Sequence, residues 1–201
     1  MAIEKRFPCS SEKKNIFLIG DSIRIGYCRT VKEMLAEEAE VFYVTENCRN
    51  TQYVMTGLLS WIHEFSDPSK IDIVHFNCGH WDAAQFAGTE PLTTEAEFRR
   101  NIRLIIESIR NLFPNAKIVF ATSTPMNPVN RECVCPRSTE DIIRYNQIAE
   151  EVVREHNIPI NDLFAVTKDW DASYFADYCH FTPDSNKILG KVVAEHLKTY
   201  F

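Results

Sequence analysis

Apolar runs and helical patterns alternate along the whole 201-residue chain. The runs Ile16–Ile19, Val41–Val44, Ile71–Phe76, Ile118–Ala121 and Ile158–Leu163 are rich in Val, Ile and Phe. They mostly do not alternate with polar residues, the pattern of parallel strands buried on both faces. Between them, apolar residues recur at helical spacing. Val54, Leu58, Ile62 and Phe65 keep one face, and Phe98, Ile102, Ile105, Ile109 and Leu112 keep another after a Thr94-x-x-Glu97 capping box. Ile142, Tyr145, Ala149 and Val152 follow Ser138-x-x-Asp141. A last helix opens with Thr182 as N-cap and Pro183 in its first turn, then runs through Leu189, Val193 and Leu197.

Strand–helix alternation with right-handed crossovers predicts an α/β fold. The expected architecture is a three-layer, doubly wound sheet of five parallel strands in the flavodoxin-like order 2-1-3-4-5. Residues 1–14 read as a polar lead-in and 15–201 as a single domain. Residues 125–137, with Pro125, Pro128 and Pro136, read as a long loop of the kind that often carries function.

In such sheets ligands bind beyond the carboxyl ends of the strands. The order 2-1-3 places side by side the loops that begin at Gly20-Asp21-Ser22, at Thr45–Thr51 and at Asn77–Asp82. The first and last helices share one face of the sheet, which brings His180 towards Ser22. A serine hydroxyl becomes a nucleophile when a base takes its proton and a third group orients the base. Asp177-x-x-His180 lets the carboxylate reach one imidazole nitrogen and leaves the other for Ser22. Taken alone, each string has a plainer reading: Ser22 as a helix N-cap, Asp177 and His180 as a solvated turn.

Composition narrows the partners. A net charge of −6 and the absence of any Lys/Arg block exclude nucleic acid and an anionic membrane surface as expected partners. The first 20 residues lack a signal-peptide pattern and no apolar stretch is long enough to span a bilayer, so a cytoplasmic location is expected. The seven cysteines, at irregular spacing, read as free thiols in a reducing compartment. Cys48, Cys78 and Cys179 fall within the three suspected site segments, so a metal or thiol-redox site stays open as an alternative.

Gly20-Asp21-Ser22 at the end of the first strand, with Asp177-x-x-His180 before the last helix, resembles the SGNH (GDSL-like) hydrolases. That resemblance implies an SGNH hydrolase fold, with Ser22 as nucleophile, His180 as base and Asp177 as its orienting acid. It also implies an oxyanion hole built from the Ser22 N–H, a glycine N–H after strand 2 and an Asn after strand 3. The chain departs at the last two. The strand 2 loop, Glu46-Asn47-Cys48-Arg49-Asn50-Thr51, has no glycine, so the Arg49 or Asn50 N–H would have to serve. The strand 3 loop, Asn77-Cys78-Gly79-His80-Trp81-Asp82, has Trp81 where the family has its Asn, and Asn77 fits a variant with Asn two residues before the glycine.

Asp21, Gly79, His80 and Trp81 are expected on the substrate side, Trp81 as an aromatic wall for a sugar ring or short acyl chain. Arg24 and Arg49 flank the site and would grip an acidic substrate. His63, His75, His156 and His196 carry no partner pattern. The expected activity is hydrolysis of esters with short acyl groups, with carbohydrate deacetylation as one form, on a small-molecule or carbohydrate ester and with neither cofactor nor metal. The alternatives are a catalytically impaired carbohydrate-binding module and, more remotely, a flavin carrier. The latter would want a Ser/Thr/Gly-rich phosphate loop where Ile23-Arg24-Ile25 stands.

Overall fold

A computed structural model describes residues 6–201 except 87, 89 and 131. Among the described residues the strands and α-helices follow one another as β1 (Lys14–Ile19), α1 (Ser22–Met34), β2 (Ala39–Tyr43), α2 (Thr51–Trp61), β3 (Ile73–Phe76), α3 (Glu95–Leu112), β4 (Lys117–Ala121), α4 (Thr139–Glu155), β5 (Ile160–Asn161), α5 (Leu163–Thr167) and α6 (Pro183–Lys198). The sheet is parallel throughout, in the order β2-β1-β3-β4-β5.

Alternate strand residues serve opposite layers. Phe17, Ile19, Val74, Phe76 and Phe120 pack with α2, α3 and α4, whereas Ile16, Leu18, Ile73 and Val119 pack with α1 and α6. This period of two explains why the strands read as continuous apolar runs: both faces are covered. The predicted capping box of Thr94 with Glu97 forms, and Ser138 with Asp141 makes a second one at the start of α4. Thr182 caps α6, with Pro183 in its first turn.

Three boundaries differ from the pattern. Only Ile160–Asn161 of the last run is strand; Pro159 has no N–H to give, and Asp162 turns the chain into α5 by accepting from Ala165 N–H. The α2 helix stops at Trp61, and a 3₁₀ turn carries the chain to Phe65, which is extended rather than helical. The stretch read as a polar lead-in is tied to the domain. Phe7 pairs in parallel with Phe65 and is buried among Phe17, Phe42 and Phe65, while residues 1–5 lie outside the described part. Among the described residues no helix is long and apolar enough to cross a membrane.

The carboxyl edge of the sheet is fixed by one side chain. Arg24, on the first turns of α1, is fully buried. Its Nη1 donates to Val44 O (2.7 Å), and its Nη2 to Glu46 O (2.6 Å) and Gly20 O (3.1 Å). The loops that leave β1 and β2 are thereby stitched together, helped by Cys48 N–H donating to Gly20 O at 3.1 Å. A buried carbonyl that loses its donor costs about 1–3 kcal/mol. Arg24→Met, which keeps the volume and removes every donor, is expected to lower stability by about 3 kcal/mol or more in urea denaturation. An unchanged midpoint would show that these loops hold without the guanidinium.

Candidate active site

Asp21, not Ser22, is the N-cap of α1: its Oδ1 accepts from Ile23 N–H at 2.9 Å. This leaves Ser22 as the first helical residue with its hydroxyl free for other work, at the positive end of a helix dipole. The Ser22 hydroxyl lies 2.7 Å from His180 Nε2, across 158 positions of sequence. His180 Nδ1 lies 2.7 Å from Asp177 Oδ2.

The segment that supplies the base and acid is a tight hairpin tip. Phe175 and Phe181 pair antiparallel at its base, with their rings 4.8 Å apart, and both are buried. Asp177 Oδ1 accepts from Cys179 N–H (2.9 Å) and His180 N–H (2.8 Å), a turn in which the carboxylate shapes its own loop. Partial burial pushes the Asp177 carboxyl up, but these N–H donors and His180 outweigh it and hold it below its usual range. It therefore stays ionised, the form that orients an imidazole. Asn127 lashes the tip to the loop after β4: its Nδ2 donates to Asp177 O and its N–H to Tyr178 O, each at 2.8 Å.

Around this relay the sequence-based expectations divide. Asn77 follows β3 and is buried, with Oδ1 pressed against Gly20. A Cβ on Gly20 would stand 1.9 Å from that oxygen, so the glycine makes room for the amide. Arg49 has φ 49°, the left-handed conformation that glycine favours, so the loop after β2 keeps a glycine-like turn without a glycine. Its N–H is engaged by Asn47 Oδ1 at 2.8 Å. Asn50 caps α2 by accepting from Tyr53 N–H, and its own backbone N–H has no acceptor among the described residues.

Several expected substrate contacts move inward. Asp21 is fully buried and does not reach a substrate. His80 is buried too: Nδ1 accepts from Arg137 Nε (3.2 Å), and Nε2 faces the Thr124 hydroxyl (3.4 Å). Burial first, and then the Arg137 charge, keep it neutral, so it supports the site from below rather than lining it. Gly79 contributes backbone shape; its φ is +144°, and a Cβ would meet Ser123 Oγ at 2.6 Å. Arg24 is spent on carbonyls, and the Arg49 guanidinium lies over the Tyr53 ring. Trp81 is half-buried and stacks on the exposed Phe86 with centroids 6.0 Å apart.

The cysteines are free thiols among the described residues. Burial pushes Cys48, Cys78 and Cys179 upward and so keeps them protonated. Cys48 and Cys179 each have a guanidinium nitrogen at 3.6 Å, from Arg24 and Arg137 respectively, which disfavours a cation. Asp177, Cys179 and His180 do cluster, but Asp177 and His180 are already bonded to each other.

Asp82 and Arg137 were not singled out by sequence reasoning. Asp82 is fully buried and accepts from the Thr51 hydroxyl (2.6 Å) and Thr51 N–H (3.1 Å), which sets the start of α2 against the loop after β3. Arg137 joins His80, Cys135 O and Cys179, and so ties the loop after β4 to the hairpin tip. The signal for Asp82 was its place five residues after Asn77 in a segment already under suspicion; nothing in the sequence marks Arg137.

The sequence pattern of the GDSL-like lipase/acylhydrolase family matches residues 18–188. The chain belongs to that family. A GDSL esterase/lipase of Arabidopsis thaliana is 26% identical over 208 residues, covering 92% of this chain; the chain spans 64% of that relative's length. The lipase/acylhydrolase from Enterococcus faecalis superposes with a TM-score of 0.73 at 25% identity, covering 92% of this chain and 96% of that one. The carbohydrate acetylesterase Est24 from Sinorhizobium meliloti gives 0.71 at 12% identity, covering 94% of this chain and all of that one, a likeness of fold. The GDSL-like block Gly20-Asp21-Ser22 and the Asp177-x-x-His180 block both fall inside the matched span.

Asp82 supplies a pH test. Burial, partly offset by Thr51, pushes its carboxyl up to about 6. Between its unfolded value near 4 and about 6, the folded chain holds a proton that the unfolded chain has released. This group's contribution is therefore fully present below that window and is lost as pH rises through it. Asp82→Asn removes the titration, so the melting temperature of the variant minus that of the wild type should rise from pH 4 to pH 6. A constant difference would mean that Asp82 is not the group that titrates.

Proposed function

We propose that this chain is a serine esterase that hydrolyses carboxylic esters carrying short acyl groups, carbohydrate acetates among them, through an acyl-enzyme on Ser22. The observation that carries this reading is the pair of 2.7 Å contacts that link Ser22 to His180 and His180 to Asp177. In the first step Ser22 Oγ bonds to the ester carbonyl carbon and its proton passes to His180 Nε2. Asp177 holds the Nδ1 proton and stabilises the imidazolium. Collapse of the tetrahedral species breaks the bond to the alcohol oxygen, which leaves with the proton from His180. Water then attacks the acyl carbon, gives its proton to His180, and the acid is released as Ser22 recovers its own.

The negative oxygen formed on attack needs fixed donors. Ser22 N–H, Asn50 N–H and an Asn77 amide N–H are the candidates, with the Arg49 N–H able to join once Asn47 releases it. Trp81 and Phe86, stacked on each other in the loop after β3, offer an aromatic wall suited to a sugar ring or a small acyl group. The carbohydrate acetylesterase fold-relative supports the same substrate class. The free cysteines fit a reducing compartment, with the cytoplasm as the place of action. The rival reading, a binding module that has lost activity, would not need a serine, imidazole and carboxylate held in hydrogen-bond range.

Two measurements test the reading. A fluorophosphonate should label Ser22, located by mass spectrometry, and Ser22→Ala and His180→Ala should each reduce nitrophenyl acetate turnover to near background with little change in melting temperature. Absence of both labelling and turnover in the folded wild type would favour the binding module. In a panel of nitrophenyl esters, acetyl and propionyl should exceed octanoyl in kcat/KM; a preference for long chains would reject the short-acyl assignment.

A further inference from the structure

The Asp21 carboxyl is fully buried, yet only one of its oxygens has an evident task. Oδ1 caps α1 through Ile23 N–H, while Oδ2 has no partner within hydrogen-bond geometry among the described residues. Capping alone does not call for a carboxylate, since Ser, Thr or Asn caps a helix as well without burying a charge. Neither nearby guanidinium bonds to it: those of Arg24 go to carbonyls, and those of Arg137 to His80, Cys135 and Cys179. Burial pushes the Asp21 carboxyl up, and the Ile23 N–H and the Asn77 amide that faces it oppose that push only in part. Asn77 is itself buried, and its Oδ1 likewise lacks a partner among the described residues. Gly20, between them, has no Cβ to keep the amide away from the chain that carries Asp21 and Ser22.

We propose that Asp21 is a positioning residue: its buried Oδ2 holds one N–H of the Asn77 amide and so aims the other at the oxyanion. This rests on the reading of Asn77 as an oxyanion donor. The two groups are not within hydrogen-bond geometry in this structure, and catalytic hydrogen bonds of this kind tighten when charge develops. An amide has two N–H groups. Tying one to a fixed acceptor sets the direction of the second without spending it, so the donor is preorganised rather than recruited.

The test is a double-mutant cycle read on kcat and KM with nitrophenyl acetate. Asp21→Asn keeps a capping oxygen and the volume but puts a donor where Oδ2 accepts. It should lower kcat by about 10–10² fold, with KM little changed. On an Asn77→Ala background, itself about 10²–10³ fold down in kcat, the same change should have almost no further effect. Asp21→Ser, a good N-cap with no atom at the Oδ2 position, should behave in the same way and serves if the first variant folds poorly. Wild-type kcat in Asp21→Asn, with Asn77→Ala impaired, would overturn the positioning role and leave the oxyanion reading intact. An equal loss on both backgrounds would also overturn it, by showing that Asp21 acts on the helix cap or Ser22 alone. Wild-type kcat in Asn77→Ala would remove the oxyanion reading and this proposal with it.

Discussion

Gly26 on α1 and Gly190 on α6 carry no side chain where these two helices meet. A Cβ on Gly26 would stand 2.3 Å from Asn186 Oδ1, and one on Gly190 would stand 2.5 Å from Thr30 Cβ and 3.1 Å from Tyr27 O. The helices therefore approach backbone to side chain, and between them Ile23, Tyr27, Val31, Leu189, Val193 and Leu197 form one buried layer against the sheet. Ser22 begins α1, and His180 lies three residues before α6 begins. Their side chains can meet only because the amino ends of these helices are side by side. A side chain at Gly190 would meet Thr30 Cβ and the Tyr27 carbonyl and wedge the pair apart, and the relay would open without any of its own residues being changed.

Most of the architecture was legible because it follows from apolar periodicity and capping chemistry. The order of the sheet and the Thr94-x-x-Glu97 capping box needed no knowledge of contacts. The relay was legible for a different reason: Ser22, Asp177 and His180 lie in short strings whose residue types have a chemical logic together. What escaped were residues whose role is set by backbone atoms. Arg24 reads as a surface cation beside a site, yet its partners are three carbonyl oxygens on two loops. Carbonyls have no signature in a sequence. Phe7 escaped because one aromatic among charged neighbours has no period, and the same holds for the two-residue β5, where Pro159 and Asp162 cut short a run that hydrophobicity alone would extend.

The substrate-side expectations failed in a consistent direction. Asp21 and His80 were placed in the cleft because they stand beside it in sequence, and both turn inward. A loop at the end of a buried strand must pair its backbone and polar groups with something, and here the partners are interior. The site thus has a thin accessible surface over a thick polar foundation of Asp21, Arg24, His80 and Asp82, each held by hydrogen bonds or charge rather than by apolar packing. Burial makes such a foundation stiff, because a group that moves leaves a partner unsatisfied in a medium that offers no water.

The separation of Ser22 from His180 along the chain also has a bearing on assembly. The apolar face of α1 forms early in the sequence and finds its cover only in α6, the last helix, so this layer closes through contacts between opposite ends of the chain. Contacts of such high sequence separation are slow to form. During synthesis, α1 waits with Ile23, Tyr27 and Val31 uncovered while the rest of the sheet is made. Transient exposure of this kind favours association with other chains. The hydroxyl and the imidazole come within reach at the same step that buries this face, so a chain that has acquired the relay has also finished covering the apolar face of α1.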